Sequence, residues 1–113
     1  MRFLYKYDLI WTNWCLCFLD DKDLKKFMWE ARQSLRKIKK HGKWCSGLFF
    51  IKENTALETW SKDARRDQQQ SQRLRTVGEY EKIFKESGYL VLQRRTQEVQ
   101  SSEKLCDLTM WVL

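Results

Sequence analysis

The chain has 113 residues, 42% hydrophobic and 14% aromatic, which is too apolar for a disordered protein and enough for one modest core. No apolar run approaches the roughly 20 residues that cross a bilayer, and Lys6 and Asp8 interrupt any signal sequence. We therefore expect no membrane span and an intracellular location, in the nucleus or cytoplasm. The net charge of +7 leaves two interpretations open: a solvated face, or contact with nucleic acid or an acidic partner.

The cysteines are Cys15, Cys17, Cys45 and Cys106. An even number could form disulfides in a secreted chain, but the absence of a signal peptide argues against that interpretation. The Cys-x-Cys spacing is too tight for a zinc knuckle, and His41 is the single imidazole. We expect buried free thiols and no metal site.

The first predicted element is a strand over residues 7–17. This run is almost continuously apolar, which is typical of a strand covered on both faces, and it places Leu9, Ile10 and Trp11 in the sheet interior. Three aspartates at 20, 21 and 23 then favour a helix start. Apolar residues follow at helical spacing: Leu24, Phe27, Met28, Ala31, Leu35 and Ile38.

Gly42 and Gly47 bracket a basic turn, and residues 48–51 form a second short buried strand, closed by 52–54. Residues 57–75 have little periodicity and many charged and Gln side chains. This composition predicts a loop or a mobile surface helix.

Thr76-Val77-Gly78-Glu79 has the spacing of a capping box and predicts the start of a second helix, while Gly88 suits its left-handed end. The last two predicted strands cover residues 89–99 and 105–113. The order β-α-β-(loop)-α-β-β predicts an α/β fold with parallel pairing, into which the final hairpin inserts an antiparallel strand.

This order resembles the second half of the class I S-adenosylmethionine-dependent methyltransferase sheet. The motifs are similar to those of the protein α-N-terminal methyltransferases, which methylate the amine of proteins beginning Xaa-Pro-Lys. Residues 7–14 resemble that family's fourth strand, and residues 50–54 its fifth strand, which ends in Lys-Asp/Glu-Asn. Residues 81–89 resemble the helix that follows, and residues 110–113 resemble the last strand. Nearly all of the chain outside 37–47 and 57–75 is covered.

The resemblance implies that residues 1–113 are one partial domain. It would be the C-terminal half of a Rossmann-like methyltransferase sheet, ending in an antiparallel hairpin and carrying a loop or mobile insertion at 57–75. The resemblance also implies that Asn13 contacts S-adenosylmethionine, that Trp14 lines the substrate peptide channel and that Asn54 hydrogen-bonds the substrate's terminal amine. Taken as residues alone, Trp14 could be an apolar strand end and Asn54 a turn cap, but the family resemblance favours the site roles.

Two positions depart from the family pattern. Phe18 stands where the family has a His that helps handle the substrate's amine. Gln70 aligns with the family's Asp that acts on the α-amine proton, and an amide cannot serve as a base at neutral pH. The alignment there is loose, so Asp67 or Asp63 could substitute, and Asp67 is the candidate base.

Most of the cofactor contacts are absent from the sequence. A methyltransferase holds its cofactor with a Gly-rich loop after the first strand of the full sheet and an acidic residue after the second. Both belong upstream of the fourth-strand motif, and none of the four glycines of this chain makes a G-x-G. We expect that the chain alone does not bind S-adenosylmethionine. Two explanations are open. The chain could be a methyltransferase remnant, that is, a pseudoenzyme kept as a structural or binding subunit, or it could be one half of an enzyme. The remnant is favoured by Met1 directly before the fourth-strand motif and by the Phe18 and Gln70 replacements.

A half-sheet also exposes a strand edge. We therefore predict a protein partner or a homodimer through residues 3–14. Nucleic acid is a further candidate partner through the basic segments 22–43 and 62–75.

Overall fold

The computed structural model describes residues 6–56, 74–97 and 107–113. In chain order its elements are β1 (Leu9–Asn13), a 3₁₀ turn (Leu16–Phe18), α1 (Asp21–Ser34), β2 (Lys37–Lys40), β3 (Lys43–Ser46), β4 (Leu48–Ala56), β5 (Arg75–Thr76), α2 (Val77–Glu86), β6 (Gln93–Gln97) and β7 (Asp107–Val112). No helix in these ranges is long and apolar enough to cross a membrane.

The main sheet has the order β1-β4-β7-β6, and β5 pairs with the end of β4. β1 runs parallel to β4, and the pairing extends from Leu9 opposite Leu48 to Asn13 opposite Lys52. β7 lies antiparallel between β4 and β6. This arrangement confirms the predicted α/β fold, including the final hairpin that inserts an antiparallel strand.

Both helices begin at the predicted caps. The Asp20 side chain accepts a hydrogen bond from the Asp23 amide at 2.7 Å, and Thr76 and Glu79 form the two reciprocal bonds of a capping box, each 3.1 Å long. After α2, Gly88 adopts a φ of +89°, the left-handed conformation that glycine accepts most easily.

The core lies on one face of the sheet, beneath both helices. Phe49 of β4 and Trp111 of β7 are buried there, and Trp111 contacts both Tyr80 and Phe84 of α2 with ring centroids 5.3 Å apart. The opposite face of the sheet carries no helix in the described part of the chain. This asymmetry determines which residues remain accessible at the candidate site.

The prediction that Leu9, Ile10 and Trp11 lie in the sheet interior is wrong for Leu9 and Trp11. Leu9 is 51% exposed and Trp11 63% exposed, whereas Ile10 is half-buried against the core. Among the described residues β1 is an edge strand with one uncovered face, so its alternate residues are exposed. The strand is also shorter than 7–17, because Trp14 turns the backbone to a φ of 54° and the 3₁₀ turn follows.

The predicted apolar stripe of α1 overruns the helix. α1 ends at Ser34, and Leu35 is extended because the chain bridges there to Tyr7. Ile38 is therefore not helical but exposed on β2. The segment predicted as a simple basic turn is a two-stranded antiparallel hairpin formed by β2 and β3.

Several strand boundaries also differ from the predictions. β4 does not close at residue 51 but continues to Ala56, because β1 and β5 pair with one of its sides and β7 with the other. β6 starts at Gln93 rather than at residue 89. Residues 57–73 lie outside the described ranges, but Leu74 and Arg75, predicted as part of a surface loop, are buried, and Arg75 lies in β5.

The expectation of buried thiols holds for one described cysteine. Cys17 is buried, whereas Cys15 and Cys45 are exposed, and all three are free. Cys106 lies outside the described ranges. Within those ranges no three His, Cys, Asp or Glu side chains are grouped as metal ligands.

Candidate functional site

The candidate site lies at the carboxyl ends of the two parallel strands β1 and β4. Asn13, the last residue of β1, stands opposite Lys52, and the Trp14 amide donates a hydrogen bond to the Lys52 carbonyl at 3.0 Å. In open α/β sheets, ligands bind in the crevice outside the carboxyl ends of the strands. The sequence-predicted residues Asn13, Trp14 and Asn54 all lie at this end.

Trp14 is held in an unusual conformation. A φ of 54° places a bulky residue in the left-handed region, which such residues rarely occupy and which costs free energy of folding. The ring is 47% exposed, and the Lys52 ammonium lies 4.9 Å from its centroid in a cation–π contact. The turn thus presents an indole at the site instead of burying it.

Asn13 and Asn54 lie on the same face of the sheet. Asn13 pairs in register with Lys52, and Asn54 is two residues further along β4. Since side chains alternate along a strand, residues two apart share a face, at a spacing of about 7 Å. Asn13 is exposed and Asn54 half-buried. The two amides therefore face the side of the sheet on which the described residues form no helix.

That uncovered face is apolar next to the two amides. The rings of Trp11 and Phe50 stack with centroids 6.1 Å apart. Beside them is an open depression of ≈ 390 Å³ that Met110 and Lys52 also line. An apolar surface with a few polar groups at its rim is the usual composition of a binding site.

A buried acidic residue lies on the opposite, helix-covered face. Glu53 is fully buried, and its Oε2 accepts a hydrogen bond from the Leu16 amide at 3.1 Å. Burial raises the pKa of the Glu53 carboxyl, although hydrogen bonding from Cys17 and from backbone amides opposes the shift. Glu53 thus joins the centre of β4 to the turn that follows β1.

Cys17 lies beside this carboxylate. Burial, reinforced by the negative charge of Glu53, raises the pKa of the Cys17 thiol to about 12. A thiol with this pKa stays protonated at neutral pH and is a poor nucleophile. Its burial and its raised pKa are those of a packing residue.

Arg75 holds the same turn from β5. Its Nε donates to an Asp21 carboxylate oxygen at 2.9 Å, and its Nη2 donates to the Leu19 carbonyl at 2.5 Å. Its guanidinium carbon lies 5.6 Å from the centroid of the Tyr80 ring. Burial, with the charge of Glu53 second, raises the pKa of the Tyr80 hydroxyl. Arg75 and Glu53 thus fasten the segment between β1 and α1 from two sides.

Sequence reasoning did not identify Glu53 or Arg75 as part of this support. Glu53 had a detectable signal, because it falls at an alternate, core-facing position of the apolar strand that begins at residue 48. Arg75 had none, since its partners are two carbonyls and a carboxylate distant in sequence.

The predicted catalytic base cannot be placed. Asp67, with Asp63 and Gln70, lies outside the described ranges, so its role stays a prediction. Phe18, at the end of the 3₁₀ turn, is 57% exposed.

The described residues fit only a small part of S-adenosylmethionine. Asn13 presents an exposed side-chain amide at the expected end of the sheet. Gly42 and Gly47 lie around the β2–β3 hairpin, and Gly78 and Gly88 belong to α2 and its end, so no glycine-rich loop follows a strand at this site. Asn13 could supply one contact to the cofactor.

Comparison with known proteins identifies the family that this chain resembles. Residues 4–113 match the model of a family described as AdoMet-dependent proline di-methyltransferase. The chain is 42% identical over 53 residues to N-terminal Xaa-Pro-Lys N-methyltransferase 2 of Danio rerio, covering 47% of the chain and 16% of that protein. It is 32% identical over 94 residues to alpha N-terminal protein methyltransferase 1 of Drosophila melanogaster, and this match covers 82% of the chain and 30% of that protein.

A solved structure gives the same result. A SAM-dependent methyltransferase of Leishmania major superposes with a TM-score of 0.65 and 29% identity, over 95% of this chain and 38% of that one. The chain therefore spans less than two fifths of the length of each of these relatives. Together, the matching sheet, the motif-bearing strand ends and the family match show that the chain belongs to the AdoMet-dependent proline di-methyltransferase family.

Proposed function

We propose that these residues form the substrate-binding portion of an S-adenosylmethionine-dependent protein α-N-methyltransferase, which acts on a protein N-terminus. The observation that supports this proposal most is the convergence of Asn13, Trp14 and Asn54 at the carboxyl ends of β1 and β4. The names of the Danio rerio and Drosophila melanogaster relatives give the same substrate class.

Asn13, Trp14 and Asn54 have roles that suit their positions at the strand ends. The side-chain carbonyl oxygen of Asn54 accepts a hydrogen bond from the substrate's terminal amine and thereby orients the lone pair of the amine nitrogen. Trp14 provides a flat apolar wall for the first residues of the peptide. Asp67 removes the proton that the amine must lose before methylation. S-adenosylmethionine, when bound, supplies the methyl group, and Asn13 donates or accepts one hydrogen bond to it.

The remaining cofactor contacts come, in this proposal, from outside these 113 residues. The protein segment that supplies these contacts would dock on the uncovered face of the sheet and the open edge of β1, through residues 3–14. Leu9 and Trp11 are exposed there beside Phe50, and parallel sheets are normally covered on both faces. We expect calorimetric titration of the chain alone to show no dissociation constant for S-adenosylmethionine below about 100 μM, or roughly −5.5 kcal/mol.

A second candidate function is that of a non-catalytic subunit in a larger assembly. The exposed Phe18 favours it, because a phenyl ring cannot exchange a proton with the substrate's amine where the family has His. In either function we place the protein in the nucleus or cytoplasm. The three free described thiols suit a reducing compartment.

A methyl-transfer assay separates the two functions. The chain is mixed with the N-terminal segment of the Drosophila relative that precedes the matched region, and a peptide beginning Ala-Pro-Lys is offered with S-adenosylmethionine. The enzyme proposal expects methylation of this peptide, none of its N-acetylated form, and at least a ten-fold loss in Asn54→Ala. Trp29→Ala, on the exposed side of α1, is the control and should be unaffected.

Light scattering first establishes that the two segments associate. No methylation by a complex shown to have formed would contradict the enzyme proposal and favour the non-catalytic subunit. Equal methylation of the acetylated peptide would contradict recognition of the terminal amine.

A further inference from the structure

The β2–β3 hairpin, residues 37–46, lies between α1 and β4. His41 and Gly42 form its two-residue loop, with φ values of 51° and 77°, and Lys40 pairs with Lys43 on either side. Positive φ at both loop residues is the type I′ geometry that matches the twist of a hairpin. The loop chemistry therefore favours a well-formed ribbon.

The hairpin is the most basic continuous stretch of the described chain. Residues 36–47 contain five Lys and Arg and no Asp or Glu, and every residue of both strands is exposed. Trp44 is 71% exposed, with the Lys39 ammonium 5.9 Å from its ring centroid. Because the ring of Trp44 lies outside the core, core packing does not explain this tryptophan. An exposed two-stranded ribbon without a packed face is only marginally stable in water.

Backbone hydrogen bonds hold the root of the hairpin. The Arg36 amide donates to the Tyr7 carbonyl at 2.8 Å, and the Leu48 amide donates to the Asp8 carbonyl at 2.9 Å. A Cβ on Gly47 would lie 2.7 Å from the Asp8 carbonyl oxygen, so the strands approach closely here. The ribbon therefore extends from a firm base.

This base is at the amino ends of β1 and β4, opposite the candidate site. Asn54 lies six positions beyond Leu48 on β4, which corresponds to about 20 Å along the strand. A ligand of the hairpin would thus not occupy the methyltransferase site.

Pairing arranges the side chains on two faces of the ribbon. Lys39 stands opposite Trp44, and alternation places Lys37 on the same face. Lys40 and Lys43 stand opposite each other on the other face. One face thus combines an accessible indole with two ammonium groups, and the other face adds two more.

We propose that residues 36–47 form a binding surface for single-stranded nucleic acid, a property separate from the proposed methyltransferase function. The lysines contact successive phosphates, and Trp44 stacks on a base. Positive grooves with aromatic platforms are the standard means of binding single strands without sequence preference. An acidic peptide would satisfy the lysines but would offer no planar group to the exposed indole, so the observations favour nucleic acid.

The charge component is tested by fluorescence anisotropy with a labelled 12-nucleotide oligo(U), between 50 and 200 mM salt. The variant Lys39→Gln/Lys40→Gln/Lys43→Gln should lose about ten-fold or more in affinity. The slope of log affinity against log salt should fall by about 2, since each phosphate contact contributes about 0.7. The matched control Lys22→Gln/Lys26→Gln/Lys82→Gln removes the same charge from exposed helical positions. An equal loss in the control would overturn the assignment to the hairpin.

The stacking component is tested with Trp44. Trp44→Ala should lose about ten-fold in affinity, the effect of one stacked base, while Trp44→Phe should retain most of it. Trp29→Ala is the control, because Trp29 is also exposed but lies on α1. All these positions are exposed, and circular dichroism checks that each variant folds. Undiminished binding by Trp44→Ala, or equally tight binding of polyglutamate, would overturn the proposal.

Discussion

The Glu53 carboxylate and the Leu16 amide, joined by a hydrogen bond of 3.1 Å, connect the centre of β4 to the turn after β1. The turn carries Trp14 and the strand carries Asn54, so this buried bond sets the spacing between two residues of the candidate site. Replacing Glu53 should therefore affect both stability and site geometry.

Glu53→Gln should change the pH dependence of stability. Burial raises the pKa of this carboxyl from its ordinary value of 4.5, so the folded protein holds the proton more tightly than the unfolded chain. The resulting stabilisation is complete below pH 4.5 and is lost as pH rises through the folded-state pKa. In urea unfolding, wild type should lose stability relative to Glu53→Gln as pH increases from 4 to 8. Parallel pH profiles would contradict this assignment.

Gly47→Ala should destabilise the chain by about 1–3 kcal/mol. The added Cβ would meet the Asp8 and Tyr7 carbonyl oxygens at 2.7 and 2.8 Å, and backbone atoms cannot move aside as a flexible side chain can. Ser46→Ala, at the neighbouring exposed position, is the control. Thermal unfolding that ranks Gly47→Ala with Ser46→Ala would show that the hairpin root tolerates a side chain.

Two tryptophans should differ strongly when replaced by alanine. Trp111 is 1% exposed between Tyr80 and Phe84, and Trp111→Ala should cost about 3–5 kcal/mol as a cavity in the core. Trp11→Ala should cost about 1 kcal/mol or less, because its ring lies on the uncovered face. Chemical denaturation measures both, and similar losses would mean that β1 is buried after all.

Trp11 should matter instead for association. If the uncovered face docks against protein, the chain at tens of micromolar should form a dimer or a larger species in light scattering. Trp11→Lys should shift it towards the monomer, and Trp29→Lys on α1 should not. A monomer that is unaffected by dilution in wild type would show that this face needs no partner.

The fold was largely predictable because periodicity and caps are local. The Asp20 and Thr76 caps define both helix starts, and the apolar run at 48–51 identifies the central strand. The errors have tertiary causes. Ile38 continues a helical stripe in sequence, but the Tyr7–Leu35 bridge draws the chain into a hairpin. Trp11 looks like a core residue, but its ring lies on the sheet face that carries no helix among the described residues.

The candidate site was predictable only in part. Asn13, Trp14 and Asn54 came from resemblance to the family's motifs, and the parallel register then places them at one end of the sheet. Arg75 lay in a segment without periodicity, and its buried contacts depend on carbonyls of the 3₁₀ turn. No pattern within the sequence indicates such long-range hydrogen bonds.

The most direct test of the proposed site is an NMR titration with a peptide beginning Ala-Pro-Lys. The ¹⁵N-labelled chain is first brought into complex with the N-terminal segment of the Drosophila relative. The proposal predicts the largest shifts at the side-chain amides of Asn13 and Asn54 and at the Trp14 indole, with none from the N-acetylated peptide. Shifts concentrated on the β2–β3 hairpin, or none at saturating peptide, would contradict it.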